Sequence, residues 1–451
     1  MGLESLHCKL AKYRTNHAIS APRKNVRKLV MAIAALALSS ASQAIEFGPD
    51  GMFSLTGFAK VEVQRGTNHC RDCQWAAGED KQRQWADALR PGAEYKTGET
   101  HVTLFQPYLG AKYDLGKGFK VTGLLSQRLR DGSVDIPGYW YDKNIALSHE
   151  DYGRLAHGGM TTRAWSVADY PYGTNVGVAD VWGSSGAGYG LLKNALRYTS
   201  RIMDFAQGDL VLEATYDRGN TKFTKNKPQF WELWAQYHKG DFVMDAMYQD
   251  ARNGNPQAWG HGPFSALAQD PASDKLLGGS GQSIAMAMAR YQVDSKIEVS
   301  GGIRRNRWSG AYPVIIGSVT TAIGPQSLWN SMFNVDWKTN TPYPATSTDI
   351  MLGARYRTGK WTASTGLTYL GKASTANPSE RGQSNSALVN TLGLNYDLGS
   401  GVQAYGLAGM VHYGQRGLSP LSIPGNSAFT NVDSRVNNRG NWVGLGAVYV
   451  F

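Results

Sequence analysis

Apolar side chains recur at every second position along most of this chain. In residues 55–63, Leu55, Gly57, Ala59, Val61 and Val63 share one face, while Thr56, Phe58, Lys60 and Glu62 share the other. The last eleven residues, NWVGLGAVYVF, repeat the pattern: Val443, Leu445, Ala447, Tyr449 and Phe451 fall together, against Gly444, Gly446, Val448 and Val450. Period two is the mark of a strand with two unlike faces. Further alternating stretches lie at 101–115, 118–130, 194–201, 209–217, 229–238, 241–249, 282–293, 296–306, 349–357, 360–371, 386–398 and 401–414. With weaker ones at 139–149 and 153–163 the total is about 16, and even counting makes 14 and 18 the rivals.

The connections turn these strands into an architecture. YDLGKG (113–118) and YDLGSG (396–401) are near-identical tight turns, with glycine supplying the positive φ that hairpins need. Long polar stretches at 66–96, 250–281 and 415–440 separate other strand pairs. Short turns at one rim and long loops at the other describe an all-β, transmembrane antiparallel β-barrel. Closure is required, because an open sheet edge in lipid leaves N–H and C=O groups unpaired.

An export signal fits this reading. Residues 24–44, KNVRKLVMAIAALALSSASQA, have a basic start, an apolar centre and a small-x-small end at Ser42-Gln43-Ala44. They are expected to act as a signal peptide cleaved before Ile45. The apolar run of about ten residues falls short of the ~20 needed to cross a bilayer as a helix. The polar stretch 1–25 is long for such a signal and fits a true start near Val26. Residues 1–44 thus form an extension and leader, and 45–451 the barrel. The leader carries seven Lys/Arg and one Glu, so it supplies +6 of the formal +11. The exported part is left near +5, which is no nucleic-acid signature.

Several segments resemble the general porin family of β-proteobacterial outer membranes. They are the leader, the YDLGKG turn, the terminal aromatic and three middle stretches: NIALSHEDYGRLAHGGMTTRAWSVADYPYG (144–173), GAGYGLLKNALRYTSR (186–201) and GDLVLEATYDRG (208–219). The resemblance implies a homotrimer of 16-stranded barrels in the outer membrane of a Gram-negative bacterium, in contact with its lipids and lipopolysaccharide. It also implies a third external loop folded into the pore, about residues 163–193. Tyr449 and Phe451 resemble the signal that the barrel-assembly machinery reads. The chain departs from the family in a polar stretch before its first strand, a CxxC in its first long loop and a high tryptophan content.

A porin catalyses nothing and needs no cofactor or metal. It needs a wet, charged constriction whose low-dielectric walls focus a field on passing solutes. Following the family layout, Asp169 and Asp180 on the inward loop would face arginines of the wall. Alternation supplies the wall candidates. Arg128 and Arg130 share a face with Lys120, Thr122 and Ser126; Arg197 and Arg201 share one with Thr199; Arg163 ends the strand entering the loop, with His157 on its polar face. Arginine toward lipid costs roughly 2–4 kcal/mol at the midplane, so these side chains are expected at the lumen or a rim. Arg304 and Arg305 are adjacent, which predicts a bulge or a rim position. Cys70 and Cys73 are the only cysteines after the leader. In an oxidising compartment they are expected to form a local disulfide in preference to a zinc or redox site. Tyrosine and tryptophan, as in YWYDK (139–143) and QFWELW (229–234), are expected in aromatic girdles at the membrane interfaces.

The function expected is passive diffusion of small hydrophilic solutes with weak anion preference. The alternative is a substrate-selective channel for small carboxylates or aromatic acids. An enzyme built on the barrel is not expected, because the histidines assemble no evident site.

Overall fold

The computed structural model describes residues 44–68, 98–135, 138–164, 189–219, 227–253, 262–263, 281–309, 313–316, 319–322, 335–336, 341–342, 345–371, 374–375, 386–413 and 439–451. Sixteen long strands make the wall among these residues. The first eight are β1 (Phe53–Asn68), β2 (Gly98–Gly116), β3 (Phe119–Ser126), β4 (Asp142–His149), β5 (Gly153–Thr161), β6 (Tyr189–Thr199), β7 (Gly208–Asp217) and β8 (Gln229–Lys239). The others are β9 (Phe242–Arg252), β10 (Gly281–Gln292), β11 (Ile297–Ser309), β12 (Ala345–Thr358), β13 (Trp361–Leu370), β14 (Ala387–Gly399), β15 (Val402–Tyr413) and β16 (Arg439–Val450). Each pairs antiparallel with the next. The ring closes where β16 pairs with β1, from Phe58↔Val450 to Asn68↔Gly440.

Phe451 continues that seam. Its N–H donates to the Gly57 carbonyl at 3.0 Å, and the Gly57 N–H donates to the Phe451 carbonyl at 2.8 Å. Its ring lies over Gly57, where a Cβ would stand 2.7 Å from the ring. A terminal phenylalanine therefore has something to bury against: the first strand of its own barrel. Just beyond it, a short strand, Ile45–Phe47, folds back on the same edge of β1 through Ile45↔Leu55 and Phe47↔Phe53.

Both YDLGxG turns join neighbouring strands at the same rim. Gly116, Lys117 and Gly118 all have positive φ, and so do Gly399, Ser400 and Gly401. The Asp114 carboxylate accepts the Gly116 N–H at 2.7 Å, and Asp397 accepts that of Gly399 at 2.8 Å. The sequence repeat is thus one turn geometry used twice.

Outward-facing positions are apolar and exposed, as on β8 (Trp231, Leu233), β12 (Ile350, Leu352) and β14 (Leu392, Leu394). Inward positions on the same strands hold Glu232, Asp349 and Asn395, all buried. No helix of the described residues is long and apolar enough to cross a membrane; this chain crosses with strands. Aromatic residues gather toward both ends of the outer face, with Tyr113, Tyr291, Tyr356 and Trp361 near the short turns and Trp231, Tyr248 and Tyr369 near the other rim. QFWELW divides between the faces, however: Trp231 points outward, while buried Trp234 points into the lumen.

Three expectations need correction. The third alternating stretch does not run unbroken to residue 130, because β3 ends at Ser126 and Leu129–Arg130 forms a small hairpin with Ser133–Val134. His157 is not on the inner face: it is exposed and paired between outward-facing Ile145 and Leu196. Of the bulge or rim position expected for Arg304 and Arg305, the bulge is absent, because the register is regular through both. Arg304 is buried in the lumen, and Arg305 points outward to the hydroxyls of Thr348 and Thr346 at 2.6 and 2.8 Å.

Candidate functional site

Antiparallel pairing lines up inward positions across neighbouring strands. One row runs Ala156, Arg197, Thr215, Glu232, Gln249, from β5 to β9. The next holds Arg154, Thr199, Glu213 and Trp234. Charges that would be prohibitive toward lipid are thereby placed side by side on the lumen wall.

The wall of β5 to β9 is built around two carboxylates. Glu213 takes a bidentate pair from Arg163, at 2.8 and 2.7 Å, and a hydrogen bond from the Thr199 hydroxyl at 2.7 Å. Arg197 Nε lies 3.1 Å from the same carboxylate and donates to Thr215 Oγ1 at 2.9 Å. Arg197 Nη2 donates to the Thr161 carbonyl at 2.7 Å and lies 3.8 Å from Glu232. Glu232 accepts the backbone N–H groups of Arg163 and Ala164, at 2.7 and 3.1 Å, and Gln249 Nε2 at 3.0 Å. The chain therefore leaves β5 pinned against the inner face of β8, not splayed away from the barrel. Arg163 also lies over the Trp234 ring at 4.8 Å, and Trp234 Nε1 donates to Asp245 at 2.9 Å.

A second cluster stands at the long-connection end of β2 and β3. Arg128 Nε donates to Gln106 Oε1 at 2.7 Å, and its guanidinium lies 4.3 Å over the Tyr141 ring. Tyr141 donates to Asp135 at 2.7 Å, as does Arg130 Nε. Burial pushes the Asp135 carboxyl up, but the hydrogen bonds from Tyr141 and Arg130 outweigh it and hold it below its ordinary range. Burial also raises the Tyr141 hydroxyl, so the tyrosine remains a donor.

A third network lies on β10 to β12. Arg304 pairs with Asp349 through Nε at 3.2 Å and Nη2 at 2.8 Å, and Asn306 adds a bond to the same oxygen at 2.8 Å. Glu298 gathers Arg290 at 3.2 Å, Arg355, and Arg357 at 3.8 Å.

The expected site residues are thus dispersed. Arg163 and Arg197 come together on Glu213. Arg128 and Arg130 sit on the other cluster, with Arg130 largely exposed and bound to Asp135. Arg201 does not join Arg197: it is exposed in the β6–β7 connection, at the short-turn rim. Tyr449 faces outward and Phe451 lies on the closing seam. Asp169, Asp180, Cys70, Cys73 and residues 1–43 of the leader lie outside the described residues. Among the described residues no group of three or more His, Cys, Asp and Glu side chains could hold a metal ion.

Sequence reasoning passed over Glu213, Glu232, Asp245 and Arg154. The signal was present: each carboxylate follows an outward apolar residue (Leu212, Trp231, Met244) inside a membrane strand, and only the lumen can accept it there.

No protein-family model and no curated protein sequence matches the chain. Solved structures do match. An anion-selective porin from Comamonas acidovorans superposes with a TM-score of 0.56 at 11% identity, over 88% of this chain and 99% of its own. The fold is that of outer-membrane porins. A loop-deletion mutant of OmpT, an outer membrane protein of Vibrio cholerae, gives 0.55 at 11% identity, over 89% of this chain and 100% of its own. The outer membrane channel DcaP of Acinetobacter baumannii gives 0.52 at 12% identity, over 90% and 99%. The chain is a multi-pass barrel of the outer-membrane kind.

Proposed function

We propose that this protein is a passive, water-filled diffusion channel for small hydrophilic solutes in the outer membrane of a Gram-negative bacterium. The observation that carries the reading is the contrast between the two faces of one closed wall. Lipid meets leucine, tyrosine and tryptophan, while the enclosed face holds arginine, glutamate, aspartate, threonine and glutamine. A barrel so lined offers a wet path through a greasy slab, and no chemistry on the solute is required.

The finer reading is weak anion preference, with arginines of the wall facing acidic residues of an inward third segment. It is supported by the pinning of Arg163 and Ala164 to Glu232, which starts that segment on the inner side of the wall. A homotrimer embedded in lipid and lipopolysaccharide completes the proposal. The second reading, a channel selective for small carboxylates or aromatic acids, is favoured by the number of guanidinium groups along the wall.

The test is a planar bilayer containing the mature protein, with single-channel current and reversal potential measured across a KCl gradient. Large, steady steps with a chloride-leaning reversal are expected, closing in threes if the assembly is trimeric. Small steps modulated by one carboxylate would favour the second reading. Silence from verified folded protein would refute both.

A further inference from the structure

The arginines of β5, its exit and neighbouring β6 are of two kinds. Arg163 and Arg197 are engaged by Glu213 and Glu232 and serve the wall itself. Arg154 is different. It is rooted one residue above the short-turn rim on the lumen side of β5, between Ser148 of β4 and Thr199 of β6. Its guanidinium makes no hydrogen bond or contact ion pair among the described residues, and its Nε–H is cut off from solvent with no acceptor. The two flanking hydroxyls donate elsewhere, Thr199 to Glu213 at 2.7 Å and Ser148 to the Lys120 carbonyl at 3.4 Å, and neither accepts a hydrogen bond from Arg154.

The charged groups that act most strongly on Arg154 include Arg197, Arg163, Glu213 and Asp142. Glu213 is taken by the first two, and Asp142 receives Asn144 Nδ2 at 3.2 Å. Lys120 holds the next inward place but one in the same row, through Ser148, and is exposed. Two strand spacings put its backbone roughly 10 Å from that of Arg154, within joint reach of one small anion. A guanidinium offers five donors in a planar fork, and a buried donor without an acceptor is costly. The shielded Nε–H is out of a solute's reach, so an arriving oxygen meets the two Nη groups, which no side chain among the described residues holds.

We propose that Arg154, assisted by Lys120, is the anion-recognition residue of the pore, and that it takes a small carboxylate bidentately on the short-turn side of the Glu213 cluster. The inference rests on the channel reading and deepens it: the paired arginines shape the lumen, and Arg154 selects. The fork matches a carboxylate in a way that an ammonium cannot.

The experiment uses full-length mature protein in planar bilayers, with KCl gradients for selectivity and sodium benzoate as the probe carboxylate. Benzoate is expected to reduce chloride current through the wild type. Arg154→Gln should weaken that effect by about ten- to a hundredfold and move the reversal potential away from chloride. Arg154→Lys should keep the chloride preference and lose most of the benzoate effect; Arg201→Gln, at the rim, should change neither. Retention of the folded, fast-migrating form on unheated gels identifies variants that assemble. A conducting wild type indifferent to benzoate, or an Arg154→Gln channel that matches it in both measurements, overturns the proposal. So does a lysine variant that responds to benzoate like the wild type, because the fork would then be irrelevant. A silent wild type would instead strike the channel reading itself.

Discussion

Gly446 of β16 lies between Tyr405 of β15 and Glu62 of β1 in one inward row across the closing seam. The Tyr405 ring crosses over the glycine, and its hydroxyl donates to Glu62 Oε2 at 2.5 Å; Lys60 Nζ lies 2.9 Å from the same oxygen. Both Tyr405 and Glu62 are buried. A Cβ at Gly446 would meet the Tyr405 ring at 2.4 Å, and a stiff aromatic can escape only by leaving Glu62. Gly446→Ala should therefore lose a charge-assisted hydrogen bond and add overpacking, together about 3–5 kcal/mol. Tyr405→Phe should lose the bond alone, about 1.5–3 kcal/mol. The decisive variant is the double one. Once Tyr405→Ala has emptied the space, Gly446→Ala should cost less than about 1 kcal/mol, because nothing remains for the methyl group to strike. Reversible urea unfolding in detergent micelles, followed by tryptophan fluorescence, measures all four corners of the cycle. An alanine at 446 that costs the same with tyrosine and with alanine at 405 would refute the crossing-ring explanation of this glycine.

Three other outcomes follow from the wall and its ends. Glu213→Gln leaves Arg163 and Arg197 around a neutral amide, so it should destabilise the barrel by about 3–5 kcal/mol in the same unfolding assay and shift the reversal potential further toward chloride. The Asp135 carboxyl is held below its ordinary range, so its contribution is complete above the unfolded carboxylate pKa and is lost as pH falls through the depressed folded value. Hydrogen exchange of residues 127–141 should accordingly rise only in acid below the usual carboxylate range, and Tyr141→Phe should shift that onset to higher pH. Removing Phe451 deletes two seam hydrogen bonds, at 2.8 and 3.0 Å, along with the ring over Gly57. Yield of the heat-modifiable folded form in the outer membrane should fall, whereas Phe451→Tyr should keep it.

The barrel was legible because its physics is periodic. A strand between lipid and water must alternate, and strands, short turns and closure leave one architecture. Positions 153–163 read as a weak strand because Gly158 and Gly159 interrupt the alternation; the register slips there, between Gly158 and Met160. The site was less legible because it depends on which residue faces which across strands. Arg197 and Arg201 share a parity, yet β6 ends at Thr199 and only Arg197 stays on the wall. His157 has the parity of Leu155, and polarity alone misassigned it. Arg304 and Arg305 read as a conflict only if both must reach water inside. Hydroxyls at Thr346 and Thr348 give the outward one partners, just above Ile303 and Ile350 on the outer face.

The same register bears on selectivity. The net charge of about +5 after the leader says little about what the pore prefers, because a guanidinium held by a carboxylate at 2.7–3.1 Å presents a dipole to a passing ion more than a charge. Arg163, Arg197 and Arg304 all lie in such pairs. Their acids, in turn, are tied to neighbouring strands: Glu213 to β6, Glu232 to β9 and the exit of β5, Asp349 to β11 and the end of β13. Most buried arginines among the described residues therefore hold strands in register where lipid packing cannot. On the channel reading proposed above, the field felt by a solute falls to the cations that no wall carboxylate has claimed, and Arg154 is expected to weigh more in selectivity than its better-connected neighbours.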